Sequence, residues 1–155
     1  MNHSLAFARA IRKNIGSIVR ELTVEQLNKI PSGFNNNIAW HLGHIVVSTE
    51  LLCYVRSNVV PQKEVLFAEK YRNGTRPEGF VSQNEVDELL MRMFSSLDMI
   101  EEDYKNGMFS KMEAYATHTF GIQMTNIEMV LAACSNHDAL HSGHISAMSR
   151  LVIKK

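Results

Sequence analysis

Apolar side chains recur at steps of three and four along four stretches of the chain, and turn-forming residues separate them. In the first stretch Leu5, Ala8, Ile11, Ile15, Ile18, Val19 and Leu22 form one stripe at helical period. Residues 23–37 then hold Pro31, Gly33 and the run Asn35-Asn36-Asn37, which suit a turn leading into a helix N-cap. The second stretch, Ile38 to Arg56, is apolar nearly all round and predicts the most buried helix. Ser82 followed by Glu85 reads as a capping box, and Val86, Leu89, Leu90, Met93, Phe94, Leu97, Ile100 and Tyr104 continue it as the cleanest amphipathic helix. Asn106-Gly107 ends that helix. Thr125 with Glu128 reads as a second capping box, opening a last helix through Ile127, Val130, Leu131, Cys134, Ile145, Met148, Leu151 and Val152, with Lys154-Lys155 suited to its C-terminus.

Two connections are long. Residues 57–81, with Pro61, Gly74, Pro77 and Gly79, exceed the roughly 2–8 residues of an ordinary bundle connection. Such a loop is a lid, a ligand-contacting segment or an oligomer contact, or it conceals a short helix. Residues 108–124 read as irregular or at most one short helical turn. Four helices in a chain of 155 residues predict an all-α four-helix bundle, one domain spanning 1–155. There is no internal repeat and no low-complexity tract.

Composition narrows the function. Lys plus Arg is 16 and Asp plus Glu is 16, a formal charge of zero, whereas nucleic-acid binding through bulk electrostatics needs a basic excess. Apolar residues at 45% supply a core and argue against disorder. Cys53 and Cys134 each sit in an apolar stretch without CxxC spacing, so they read as inert core thiols rather than a redox pair. The opening MNHSLAFARAIRKN lacks the apolar core of a signal peptide, and no run approaches the ~18 apolar residues of a membrane span. The expectation is a cytoplasmic protein.

Histidine is the chemically unusual residue. Among seven, His41 and His44 lie on the second helix and His137 and His141 on the fourth. His137 and His141 fall about 40° apart on a helical wheel, within the arc of Val130, Cys134 and Met148, and so point inward. Residues four apart have Cβ atoms about 5–6 Å from each other, close enough for two imidazoles to converge on one ion. A third ligand must come from elsewhere, and the second helix offers His44 or His41. Three histidines with a position left open describe a catalytic or ligand-binding site, because structural zinc is usually closed by four protein ligands. The bland alternative is a hydrogen-bonded histidine core. His3 and His118 read as surface residues, and His144 as a rim or outer-contact group. Asp138 follows the first histidine of the pair, where it is either a general base or, the preferred reading, a carboxylate that orients a ligand imidazole or pairs with a basic residue.

Trp40-His41-Leu42-Gly43-His44-Ile45, followed by Glu50, resembles the second-helix motif of the DinB/YfiT-like superfamily. The segment Asn136-His137-Asp138-Ala139-Leu140-His141-Ser142-Gly143-His144-Ile145 resembles that family's fourth-helix HxxxH. The Asn-rich lead into the second helix, the long charged loop ending near Phe80-Val81-Ser82 and the regular third helix extend the likeness over almost the whole chain. The resemblance implies up-down-down-up connectivity and one divalent metal ion held by His44, His137 and His141. It selects His44 over His41 by the four-residue spacing from Trp40, leaving His41 as a pocket or structural histidine. His144 stands where the family usually has glutamine.

Relatives of this kind include thiol-dependent S-transferases and a thiol-dependent isomerase. The resemblance therefore implies a metal-dependent enzyme of the thiol S-transferase or hydrolase type, acting on a small molecule, with a low-molecular-weight thiol as a possible co-substrate. Histidine-only ligation suits zinc, nickel, iron or copper. Specificity is expected from residues within 57–81 and around Tyr115 to Phe120. The contrasting reading is a non-enzymatic helical interaction module with buried structural histidines. The apolar surface to spare and the resemblance together point to a homodimer.

Overall fold

A computed structural model describes residues 3–153, so the Lys154-Lys155 tail lies outside the described residues. The chain is mostly helical, with four long helices at the expected places: α1 (His3–Arg20), α3 (Ile38–Glu50), α5 (Gln83–Lys105) and α6 (Ile127–Ile153). Helix α1 packs on α6 and α5, and α3 packs on α5 and α6. Each long helix thus touches two others around a common interior.

Local chemistry sets the helix starts. Asn37 accepts from the Trp40 N–H and opens α3, and Ser82 accepts from the Glu85 N–H and opens α5. Glu85 does not close the box, because its carboxylate is held by Lys70 and Tyr71 instead. At α6 the Thr125–Glu128 box is not formed. The cap is Asn126, whose Oδ1 accepts from the Met129 N–H at 3.0 Å, while Glu128 accepts from the Tyr104 hydroxyl at 2.8 Å. Gly107, at φ 73°, takes the left-handed turn after α5 that a side chain would resist.

The connections hold more structure than periodicity reveals. Residues 23–37 contain α2 (Val24–Asn28), started by a complete Thr23/Gln26 capping box. Residues 57–81 conceal α4 (Ala68–Tyr71). After α5 come a 3-10 turn (Met108–Lys111) and a two-stranded antiparallel hairpin, β1 (Tyr115–Ala116) and β2 (Gln123–Met124). Elements this short have no period to detect.

Every residue of α3 except Ser48 is buried. The helix passes into a π-helical turn at Leu51–Val55, an uncommon geometry that tends to mark functional sites. Taken together, Ile38–Val55 is one segment long and apolar enough to cross a membrane, contrary to the sequence expectation. However, 78% of it is buried inside the fold, as for the central helix of a packed core.

The interior consists of two hydrophobic clusters. One centres on Ile15, Leu42, Ile45, Leu89, Met93 and Ile145, and the other on Leu5, Cys53, Leu97, Ile100, Val130 and Cys134. Both cysteines are buried core residues, and contact with Cys134 plus burial pushes the Cys53 thiol up, away from the reactive thiolate. Between the clusters, in sequence order on every long helix, lie the buried polar residues Arg12, Thr49, Ser96 and Asp138. The α1 stripe is therefore not purely apolar. Arg12 takes the innermost position, and Ile11 and Ile18 are only half-buried.

Candidate metal centre

Helices α3 and α6 lie side by side and both direct histidines into their shared interface. His44 Nε2 stands 3.2 Å from His137 Nε2, and His141 Nε2 stands 3.1 Å from the same atom. The three ligand atoms all lie within 4.8 Å of one another. Around an ion with Zn–N bonds of ~2.0–2.1 Å, tetrahedral imidazole nitrogens stand ~3.3 Å apart. The triad His44, His137 and His141 could hold a divalent ion with little ring movement.

The outer contacts orient two of these rings. His44 Nδ1 is 2.7 Å from the Tyr71 carbonyl. A carbonyl only accepts, so the ring hydrogen sits on Nδ1 and the Nε2 lone pair faces the triad. The Trp40 indole stacks on His44 with centroids 4.6 Å apart and planes 12° from parallel, and its Nε1–H donates to Thr75 at 3.0 Å. The four-residue spacing thus has physical content: it puts the two rings on one face of α3. His141 Nδ1 lies 2.7 Å from His41 Nδ1, so the two share a hydrogen. Donation from His141 leaves its Nε2 lone pair for the ion. His41 is thus hydrogen-bonded to a candidate ligand, and it is not among the residues lining the adjoining cavity. His144 is exposed, 5.4 Å from His41 between centroids, and joins His41 and His141 in a second grouping of possible ligand atoms.

Tyr71 is held from three sides. Its ring lies against the backbone of Gly43, where an added Cβ would come within 2.4–2.6 Å of three ring carbons. Its hydroxyl donates to Glu85, which also takes Lys70 Nζ at 2.7 Å. A loop tyrosine thus locates the carbonyl that sets the His44 tautomer. Nothing in the sequence marks it, because the contact is made by backbone.

Burial and neighbouring imidazoles lower the histidines. His41 and His137 fall to about 4 and His141 to about 2, while burial lowers His44 against the pull of its Tyr71 bond. All four are neutral near pH 7, which is the ligand form. Because the folded values lie below the ordinary 6.5, the unfolded chain binds more protons between the two values. Stability of metal-free protein is therefore full above about pH 6.5 and falls as pH drops toward 4, and moving His41 alone from 6.5 to about 4 is worth roughly 3 kcal/mol. Thermal melts of chelator-treated protein from about pH 7.5 down to about pH 4.5 are expected to show a steadily falling Tm. A flat Tm would contradict neutral buried imidazoles.

Asp138 is placed apart from the candidate ion. It is fully buried, and its oxygens pair with Arg12 Nε at 2.7 Å and Nη2 at 3.5 Å. Of the two expectations for it, pairing with a basic residue is the arrangement found, and it is not among the groups gathered around either candidate ion position.

A cavity of about 680 Å³ adjoins the triad, with His44 and His137 in its wall. Ser48, Leu51, Leu52 and Val55 line it from α3 and the π-helical turn, Arg72 and Asn73 from the loop after α4, and 116–121 from the hairpin. Both loops singled out from the sequence contribute. His118, read as a surface residue, is exposed but stands in this wall. Arg12, Tyr71, Arg56 and Arg72 escaped the sequence reading. Only Arg12 left a signal, a cation within an apolar stripe.

Comparison with curated proteins gives no match. A sequence profile of the DinB superfamily, however, matches residues 8–145, from the first buried turns of α1 through the last histidine of α6. With that match spanning all four long helices and both histidine segments, the chain belongs to the DinB superfamily.

Proposed function

We propose that this protein is a metal-dependent enzyme of the thiol S-transferase or hydrolase type, built on an up-down-down-up four-helix bundle spanning 1–155. His44, His137 and His141 hold one divalent ion, zinc, nickel or iron. The observation that carries this reading is the meeting of three imidazole Nε2 atoms at the wall of a cavity large enough for a small-molecule substrate. When bound, such an ion supplies Lewis acidity that lowers the pKa of a thiol or water at its open position. The chain's own groups do the rest. Tyr71 and Trp40 fix His44, His41 fixes His141, and Leu51, Leu52 and Val55 exclude water from one side of the cavity. The reading also takes the protein as a homodimer, and a monomer in sedimentation at micromolar concentration removes that part.

Elemental analysis of untagged protein tests the proposal. About one divalent ion per chain is expected, falling to background in His141→Ala. Absence of metal in the parent protein, with none rebinding after dialysis against zinc, nickel and ferrous iron, overturns it and favours the interaction module. A metal-free histidine core would also make the 2.7 Å His41–His141 hydrogen bond and the His44–His137 and His137–His141 contacts, so metal content is what separates the two readings.

A further inference from the structure

The cavity beside the triad has a charge pattern that metal binding does not require. Arg56 and Arg72 stand in its wall, and among the described residues lining it there is no aspartate or glutamate. The chain as a whole carries equal numbers of acidic and basic groups, so two cations facing one cavity without a carboxylate are a local arrangement. Arg56 is held in place directly after the π-helical turn: its Nη2 donates to the Ala116 carbonyl at 3.3 Å, and its guanidinium carbon lies 5.5 Å over the Tyr115 ring. Arg72 Nε is 3.3 Å from Glu69, but that carboxylate is 88% exposed and such a solvent-side pair is weak. Much of the wall between is hydrocarbon, from Leu51, Leu52, Val55 and Phe120.

We propose that this cavity binds a small organic acid, with the carboxylate at Arg56 and Arg72, a hydrocarbon body along Leu51, Leu52, Val55 and Phe120, and the reacting end toward His44 and His137. The proposal rests on reading the cavity as the substrate site of the metal centre, and it names the substrate class. Guanidinium groups present paired N–H donors that match the two oxygens of a carboxylate, and they keep their charge at any physiological pH. An amine is repelled by the same groups, and a neutral amide leaves the acid-binding end imperfectly paired. Two cations against a largely apolar wall suit one negative charge on an apolar body better than a multiply charged phosphate.

The test is calorimetric titration of untagged protein, zinc-loaded and zinc-free, with 4-phenylbutyrate, 4-phenylbutanamide and 4-phenylbutylamine. The acid is expected to bind at least about tenfold tighter than the amide in both forms, and the amine more weakly than either. The double variant Arg56→Gln with Arg72→Gln, both on exposed side chains, is expected to erase the preference for acid while keeping parental metal content and Tm. Equal binding of acid and amide overturns the proposal, as does failure of all three probes to bind. So does an acid preference seen only in the zinc-loaded form and unaffected by the double substitution, since the carboxylate would then be sitting on the ion. A protein that takes up no metal but retains the arginine-dependent preference counts against the metal reading alone.

Discussion

Replacing Arg12 with alanine is expected to destabilise the protein by about 3–5 kcal/mol. Arg12 is wholly buried, and each of its N–H groups meets an acceptor. Nε and Nη2 reach Asp138 of α6, Nη1 reaches the Met93 carbonyl at 2.7 Å and Ser96 Oγ at 3.1 Å on α5, and Nη2 also reaches Thr49 Oγ1 of α3 at 2.5 Å. One side chain from α1 thus joins all four long helices between the two hydrophobic clusters. Burial raises the Asp138 carboxyl above its ordinary value against the pull of Arg12. Without the guanidinium, Asp138 must take up a proton or admit water, and three further acceptors lose their donor. Arg12→Lys is expected to rescue only part of the loss, because an ammonium cannot span acceptors on three helices. The double variant Arg12→Met with Asp138→Leu should lie much closer to the parent, since it leaves no buried charge unpaired. Urea denaturation measures all of these. A loss below about 1 kcal/mol for Arg12→Ala would show that the layer contributes little to stability.

The second large effect is expected from a single methyl group. Gly43→Ala in an ordinary helix interior gains about 1 kcal/mol from helix propensity. Here the new Cβ would meet the Tyr71 ring at 2.4–2.6 Å, and that ring is 1% exposed, with its hydroxyl tied to Glu85. The ring must move, and the Tyr71 carbonyl that holds His44 Nδ1 moves with it. The expected result is a loss of about 1–3 kcal/mol in stability and a 10- to 100-fold weaker metal affinity, the usual cost of disturbing an outer partner of a ligand histidine. Adding Tyr71→Ala to Gly43→Ala removes the clash while keeping the backbone carbonyl. Metal affinity should then recover in part even though a cavity lowers stability. Undiminished affinity in Gly43→Ala would mean that Tyr71 does not position His44.

Much of the fold can be read in one dimension because helices are local. The period of Val86 to Ile100, the Asn37 and Ser82 caps and the Gly107 stop depend on residues within a turn or two of each other, and α3 and α5 begin, and α5 ends, where these signals put them. The same locality explains the errors. Thr125 and Asn126 compete for one cap, and sequence pattern does not choose between neighbours. Elements of two to five residues, such as α2, α4 and the hairpin, are too short to show a period.

The candidate site divides along the same line. From the chain alone came the four inward histidines, since spacing of three or four residues is enough to say that side chains share a helix face, whereas Trp40 and Gly43 entered only through the family resemblance. The tertiary structure decided which ring nitrogens meet. It also decided that Asp138 pairs with Arg12, that a backbone carbonyl of Tyr71 orients His44, and that Arg56 and Arg72 face one cavity. Those contacts join residues 27 to 126 positions apart. Their geometry comes from how helices and loops pack on one another, and no local pattern carries that information.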